Sequence, residues 1–440
     1  HELFDLIGEV PDLWDIKLSE WTKECPSSRF AESGFMEPYN GFVKQLTSKP
    51  VVGVGWFTSP DHMVSQINRG ILDFVGSARA SIADPFLPNK IFEGNEDDIR
   101  ECIGCNICAS CYNQGIPVRC TQNPTMGEEW RRGWHPEKIK NKTSDESVLI
   151  IGGGPAGLEA AMSLGKRGYE VTLAEKDKEL GGRINKEIQL PGMSSYSRVK
   201  DYRTHQIDQL ESVNVFLDNQ MKVEDVIDME FDHVVIASGS SWELTTIDDK
   251  AIPINTNENS NCLTPDDILN GAKVNGPVVI YDFDYYYMGG LIAEFLSGQG
   301  HTVNMVTPFE NISPWSFMSN ELNEIKLRLN EKNVTIHTDS RMLSSNNSSI
   351  EIINRFNKDQ SSLEASTVVI VGTRKPRDKI YHELIKAKSS KIKSIIKIGD
   401  ADAPGALYHA VYSGHLFAEY FGEEQQIDNM KHEYPVIQPF

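Results

Sequence analysis

Cys102, Cys105, Cys108 and Cys120 stand in the run ECIGCNICASCYNQGIPVRC, three cysteines spaced C-x2-C-x2-C and a fourth twelve residues on. Three thiolates from one tight loop and a fourth from a distance can wrap one inorganic centre. Soft sulfur ligands suit zinc or iron–sulfur. Zinc sites are more often built from two C-x2-C pairs, so the spacing favours [4Fe–4S]. Five of the seven cysteines lie within 102–120, so the chain does not read as a disulfide framework, which would be short and spread its cysteines. Cys111 reads as a spare thiol that could compete as a ligand, and Cys25 and Cys262 as unrelated to the cluster.

A second group of residues suits phosphate. Ser147–Ile151 (SVLII) reads as a strand that runs into Gly152-Gly153-Gly154-Pro155-Ala156-Gly157. An Ala-rich helix follows, then a strand over 170–174 ending in Glu175. In this G-x-G-x-x-G the first glycine makes the turn, the second admits a pyrophosphate, and the third lets helix and strand pack closely. The helix N-terminus faces the phosphates and Glu175 can accept from ribose hydroxyls. Gly181-Gly182-Arg183 follows a short loop later. A late strand over 396–400 ends in Asp400, which can bond ribose or pyrophosphate in the same pocket or cap a helix.

A second strand–helix–strand unit over 277–306 lacks this chemistry. Where a nicotinamide site would carry glycines, the turn reads Asp282-Phe283-Asp284-Tyr285-Tyr286-Tyr287. Carboxylates repel phosphate and the rings bar backbone approach, so this half keeps a Rossmann-like shape without NAD(P)H chemistry.

The elements that position these groups follow from the pattern. Strands are expected over 12–18, 50–57 and 71–76. Helices are expected around 42–46, from the Thr58–Pro60 start, and over 85–93. Short strand–helix alternation implies parallel strands with helical crossovers, as in the last part of a (β/α)8 barrel. Gly53 and Gly55, then Gly76, Ala78 and Arg79, close two consecutive strands, where late barrel strands make a phosphate site. The fold class is therefore α/β. A barrel end over 1–95 and an irregular cluster segment over 96–146 come first. A nucleotide-binding domain over 147–275 and 380–440 then encloses a degenerate NAD(P)H-like domain over 276–379.

Composition excludes some partners. With 43 basic and 63 acidic residues the net charge is −20, which argues against nucleic acid and anionic membrane. No apolar run is long enough to span a bilayer. An oxidisable cluster and free thiols fit a reducing cytoplasm. The opening HELFDLIGEV, without Met and already amphipathic, reads as a chain lacking upstream sequence.

The residues resemble the trimethylamine dehydrogenase family, with its dimethylamine and histamine dehydrogenases. The shared strings span the chain: WDI at Trp14, SRF at Ser28, GVG at Gly53, ARASIADPFLP at Ala78, ECIGCN at Glu101, CTQN at Cys120, GEEWRRGWHPEK at Gly127 and GDADAP at Gly399. The resemblance implies an FMN-bearing barrel, a [4Fe–4S] segment and glutathione-reductase-like nucleotide domains. It implies oxidative demethylation or deamination of a small methylated amine. Electrons would pass from FMN through the cluster to an electron-transferring flavoprotein, in a homodimer. Cys102, Cys105, Cys108 and Cys120 match the cluster ligands. Gly53, Gly55, Gly76, Ala78 and Arg79 match the FMN phosphate region. Gly152, Gly154, Ala156, Gly157, Glu175, Arg183 and Asp400 match a site for ADP or FAD. Trp21 matches one wall of an aromatic amine cage, Tyr112 stands where the family has a second Trp, and Glu24 where it has an active-site Asp. The family's flavin-linking cysteine and its catalytic His and Tyr would lie upstream of His1, so this chain alone is expected not to turn over amine. Two other readings stay open: an NAD(P)H-dependent ene-reductase of the dienoyl-CoA reductase type, and a non-catalytic nucleotide-binding or electron-transfer scaffold.

Overall fold

The structure, a computed structural model, describes residues 2–244, 246–247, 253–254 and 261–423. Its first sheet is three short parallel strands, β1 (Trp14–Ile16), β2 (Val51–Gly53) and β3 (Phe74–Val75), in the order β1-β2-β3. The helix Pro60–Asn68 crosses from β2 to β3, and the short helix Ala78–Ala83 follows β3. Val43, Val51, Phe57, Ile71 and Leu72 form the core of this part.

The strands are shorter than the sequence suggests, for local reasons. Pairing of the 50–57 run ends at Gly53, because Trp56 adopts a left-handed φ of 53° and turns the chain away. The 71–76 run pairs over two residues only, with Asp73 joined to Val51 just before it, its N–H donating to the Val51 carbonyl at 2.9 Å and its carboxylate accepting the Val51 N–H at 2.8 Å. The 12–18 run pairs over three. The 42–46 stretch is a single 3-10 turn, Val43–Gln45, and the late barrel-end helix begins at Leu87 rather than at residue 85.

From Val148 the strands are β4 (Val148–Ile151), β5 (Val171–Ala174), β6 (Val213–Phe216), β7 (His233–Ile236), β8 (Ser240–Trp242), β9 (Cys262–Leu263), β10 (Val278–Asp282), β11 (Val303–Val306), β12 (Thr335–His337), β13 (Thr367–Val371), β14 (Arg374–Pro376) and β15 (Ser394–Lys397); a meander over 340–364 stands apart. One five-stranded parallel sheet has the order β15-β7-β4-β5-β6 and a second has the order β9-β13-β10-β11-β12. The central strands VLII, VVIYD and TVVIV are buried at every residue, the pattern of strands covered on both faces. The antiparallel pair β14–β8 links the two halves.

The strand expected over 396–400 is shifted to Ser394–Lys397, because Gly399, at φ 58°, starts a 3-10 turn carrying Asp400. The cluster segment is less irregular than expected: Ile107–Asn113 and Glu129–Arg132 are helical. Among the described residues no helix is long and apolar enough to cross a membrane.

Candidate functional site

The glycine loop between β4 and the helix Pro155–Arg167 divides its labour by position. Gly152 sits at φ 114°, and a Cβ there would lie 2.4 Å from the Ala237 carbonyl. A Cβ at Gly157 would lie 1.9 Å from the Gly152 carbonyl, so that glycine brings helix and strand together. A Cβ at Gly154 would meet nothing within 4 Å and would project into open space. That space is a cavity of about 1150 Å³ lined by Gly152, Gly154, Ala156, Glu175, Arg183 and Asp400, large enough for a nucleotide. The buried Glu175 accepts the Gly153 N–H at 2.6 Å and the Asp177 N–H at 2.9 Å, which holds the loop as well as facing the cavity.

Arg183 donates to Asp266 and to the Ser240 carbonyl. Asp400 accepts from Ser240 Oγ at 2.8 Å, Arg374 at 2.8 Å and the Gly405 N–H at 3.0 Å. Asp400 is not a helix N-cap; Ala406 holds that place for Leu407–Tyr420. Sequence reasoning missed Ser240 and Arg374. Arg374 reaches the cavity only because β14 pairs with β8, and no local pattern signals it.

The second unit sets its carboxyl groups, Asp282 buried and Asp284 half-buried, at the N-terminus of the helix Met288–Gly298. A Cβ at Gly289 would lie 2.3 Å from the Asp282 carboxyl carbon. Asp282 accepts the Asp284 N–H at 3.1 Å, and Asp284 accepts the Met288 N–H at 3.4 Å. Burial, then the Asp284 carboxylate, pushes Asp282 up to about 8. The Tyr286 ring stands 4.3 Å from that of Tyr287 and 4.7 Å from that of Trp315.

The four cysteines lie near one another, Cys102, Cys105 and Cys120 close enough to Cys108 to act on its charge. The Cys108 thiol is raised well above its ordinary value by burial and then by Cys102, Cys105 and Cys120 beside it. Burial foremost raises Cys105 to about 12 and Cys120 to about 11. Among the described residues no three His, Cys, Asp or Glu side chains converge as a single-ion site requires. Polar groups already lie against sulfur: the Gly104 N–H donates to Cys102 Sγ at 3.3 Å, and Thr121 Oγ1 lies 3.2 Å from Cys105 Sγ. This donor set fits an iron–sulfur cluster. Cys111 faces the other way, into the nucleotide cavity with Ile107 and Gln114. Cys25, expected to be unrelated, packs against the cluster loop, with its thiol 3.8 Å from Asn106 Oδ1.

Gly53, Gly55, Gly76, Ala78 and Arg79 gather where β2 and β3 end, the Gly76 N–H donating to the Gly53 carbonyl at 2.8 Å. Side-chain packing also demands these glycines: a Cβ at Gly53 would strike Leu72 and one at Gly76 would strike Val54. Arg79 donates to the Pro26 carbonyl and to Asn106, each at 2.7 Å. The buried Trp56 Nε1 beside it has no partner, a free donor at the place expected for a flavin phosphate. Trp21 and Tyr112 stand with ring centroids 6.1 Å apart, 45 % and 70 % exposed, and Glu24 lies one helical turn from Trp21.

The fold and these pockets define a class, a flavin-linked oxidoreductase architecture. The family model described as pyridine nucleotide-disulphide oxidoreductase matches residues 146–396, and that of the NADH:flavin oxidoreductase / NADH oxidase family matches 2–98. Dimethylamine dehydrogenase of Hyphomicrobium sp. (strain x) is 35 % identical over 94 % of this chain and 61 % of its own length. The structure of histamine dehydrogenase from Rhizobium sp. 4-9 superposes with a TM-score of 0.94 at 40 % identity, over 100 % of this chain and 65 % of that one. The 6-hydroxypseudooxynicotine amine oxidase of Pseudomonas geniculata N1 gives 0.93 at 43 %, over 96 % and 64 %. The chain belongs to the pyridine nucleotide-disulphide oxidoreductases by its 146–396 match, and its amine-dehydrogenase relatives place it in the trimethylamine dehydrogenase family. It spans less than two thirds of the length of these relatives.

Proposed function

We propose that this chain is the cluster- and nucleotide-binding part of an amine dehydrogenase that oxidatively demethylates or deaminates a small methylated amine. When bound, FMN supplies hydride acceptance, and a [4Fe–4S] cluster supplies single-electron transfer onward to an electron-transferring flavoprotein. Cys102, Cys105, Cys108 and Cys120 would hold the cluster. Gly53, Gly55, Gly76, Ala78 and Arg79 would hold the flavin phosphate, with Trp56 Nε1 as a further donor. Trp21 and Tyr112 would attract the substrate's ammonium through their ring faces, and Glu24 would add a negative charge beside them. Gly152, Gly154, Ala156, Gly157, Glu175, Arg183 and Asp400 would hold ADP or FAD. A homodimer in a reducing cytoplasm completes the reading.

The observation that carries it is the carboxylate-filled turn of Asp282 and Asp284 at the N-terminus of Met288–Gly298. A nicotinamide dinucleotide needs that helix end for its pyrophosphate. With the end taken, electrons must enter from an organic donor on the flavin side, and the relatives named for amines support an amine as that donor. The test is an anaerobic visible-spectrum titration of the full-length protein with trimethylamine, dimethylamine and histamine, then NADH. Bleaching by an amine and indifference to NADH is the expected result. Bleaching by NADH alone would move the protein to the ene-reductases.

A further inference from the structure

Asn106 follows the cluster cysteine Cys105 and stands at the N-cap of Ile107–Asn113, the helix that carries Cys108. It is 1 % exposed and holds a left-handed φ of 56°. An asparagine at an N-cap ordinarily turns its side chain back onto the helix's first N–H groups. Asn106 makes no such bond. Its amide nitrogen donates to the Cys25 carbonyl at 2.8 Å and the Ser319 carbonyl at 3.0 Å. Its amide oxygen accepts from Arg79 Nη1 at 2.7 Å. One neutral side chain thus joins the cluster loop to the barrel segment, to the second nucleotide-type unit and to the arginine proposed for the flavin phosphate.

We propose that Asn106 is a positioning residue that sets the placement of Arg79 relative to the iron–sulfur cluster and leaves its charge uncancelled. The inference rests on the cluster and flavin assignments above. A neutral carbonyl fixes the guanidinium without cancelling its charge. A carboxylate of the same shape would form a buried ion pair with Arg79 and put negative charge beside Cys105. Cluster potentials respond to net charge and to nearby hydrogen bonds, so added negative charge disfavours the reduced cluster. Removing the amide frees one end of Arg79 and strips two buried carbonyls of their donor.

The test uses the holoprotein, purified anaerobically, as wild type, Asn106→Asp, Asn106→Gly and Asn113→Ala. Glycine accepts the left-handed backbone, so Asn106→Gly removes the amide without adding strain. Asn113 donates to the Met318 carbonyl from the same helix at 2.8 Å but lies away from Arg79, so its variant reports general loosening. Iron and acid-labile sulfide are counted in each protein. The cluster midpoint potential is then read by EPR-monitored redox titration, and flavin-to-cluster electron transfer by stopped flow. Asn106→Asp is expected to keep its cluster and shift the potential downward. Asn106→Gly is expected to slow the transfer about tenfold, the scale of a small misplacement of reacting groups. Asn113→Ala should match wild type in both. Wild-type potential and wild-type transfer rate in the two Asn106 variants overturn the proposal, and so does an Asn113→Ala shift equal to theirs. If Asn106→Asp fails to assemble, the Asn106→Gly rate decides alone. A wild type without iron and sulfide sinks the cluster assignment itself, and this proposal with it.

Discussion

At Gly154 and Gly157 the same residue type answers two different demands. A Cβ at Gly154 disturbs no protein atom and enters only the ligand's space, so Gly154→Ala should fold normally and bind nucleotide less well. Losing one charge-assisted bond costs about 1.5–3 kcal/mol, or roughly 10–100-fold in Kd. Gly157→Ala should instead destabilise the domain, because its methyl group meets the Gly152 carbonyl. Equilibrium dialysis with labelled ADP and thermal unfolding separate the two, and a Gly154→Ala protein with unchanged affinity would sink the assignment. Asp282 carries a prediction about pH. Its carboxyl sits at about 8 against an ordinary 3.8, so the folded chain keeps a proton that the unfolded chain releases between these values. The stability linked to this proton is fully present below the ordinary value and is lost as pH rises through the folded one. The urea midpoint of the wild type should therefore fall from pH 5.5 to pH 8.5 more steeply than that of Asp282→Asn, and parallel slopes would refute it.

Three helices and the cluster segment share one buried ionic hub. The Arg203 guanidinium donates to Glu159 at 2.7 Å and to the Gln122 side chain and backbone carbonyls at 2.9 and 3.1 Å. His415 reaches Glu159 from Leu407–Tyr420 at 2.9 Å. Burial opposes the Glu159 charge, but Arg203 and His415 outweigh it and hold the carboxyl at about 2. Burial likewise opposes charge on His415, which Glu159 and Glu419 nevertheless hold above its ordinary value. Breaking such a pair from one side typically costs about 3–5 kcal/mol. Glu159→Gln should cost that much in denaturant unfolding and should loosen Gln122, two residues beyond Cys120. The contribution of Glu159 is present above pH 4.5 and is lost as pH falls toward 2, so the gap between wild type and variant should close in acid.

Across the whole molecule, the proposed amine site depends on two segments that meet only after folding. Trp21 belongs to the barrel segment and Tyr112 to the helix beside the cluster. Each ring face is worth about 0.5–2 kcal/mol to a cation. In the full-length enzyme, Trp21→Ala should raise the KM for a methylated amine by about 2–30-fold on that scale while leaving the cluster spectrum unchanged. A net charge of −20 adds a long-range pull on cationic substrate, so kcat/KM should fall as ionic strength rises. A flat salt profile would place the controlling field close to the site.

Local spacing and chemistry carry much of this protein's reading independently of its fold. Four cysteines on one short loop, and three glycines between a buried strand and a helix, are constraints carried by neighbouring residues, so they can be read in order. The Asp282–Tyr287 turn can be located in order for the same reason, since its carboxyl groups and rings are neighbours in the chain. The short strands were not legible: the Asp73 carboxylate bonds the Val51 N–H, 22 residues away in the chain, and Trp56 takes a left-handed φ of 53° beyond Gly53. The reach of Arg374 to Asp400, the turning of Cys25 onto the cluster loop and the threefold tie made by Asn106 were decided only by tertiary structure. Each joins groups far apart in the chain, and a side-chain hydrogen bond leaves no periodicity in sequence.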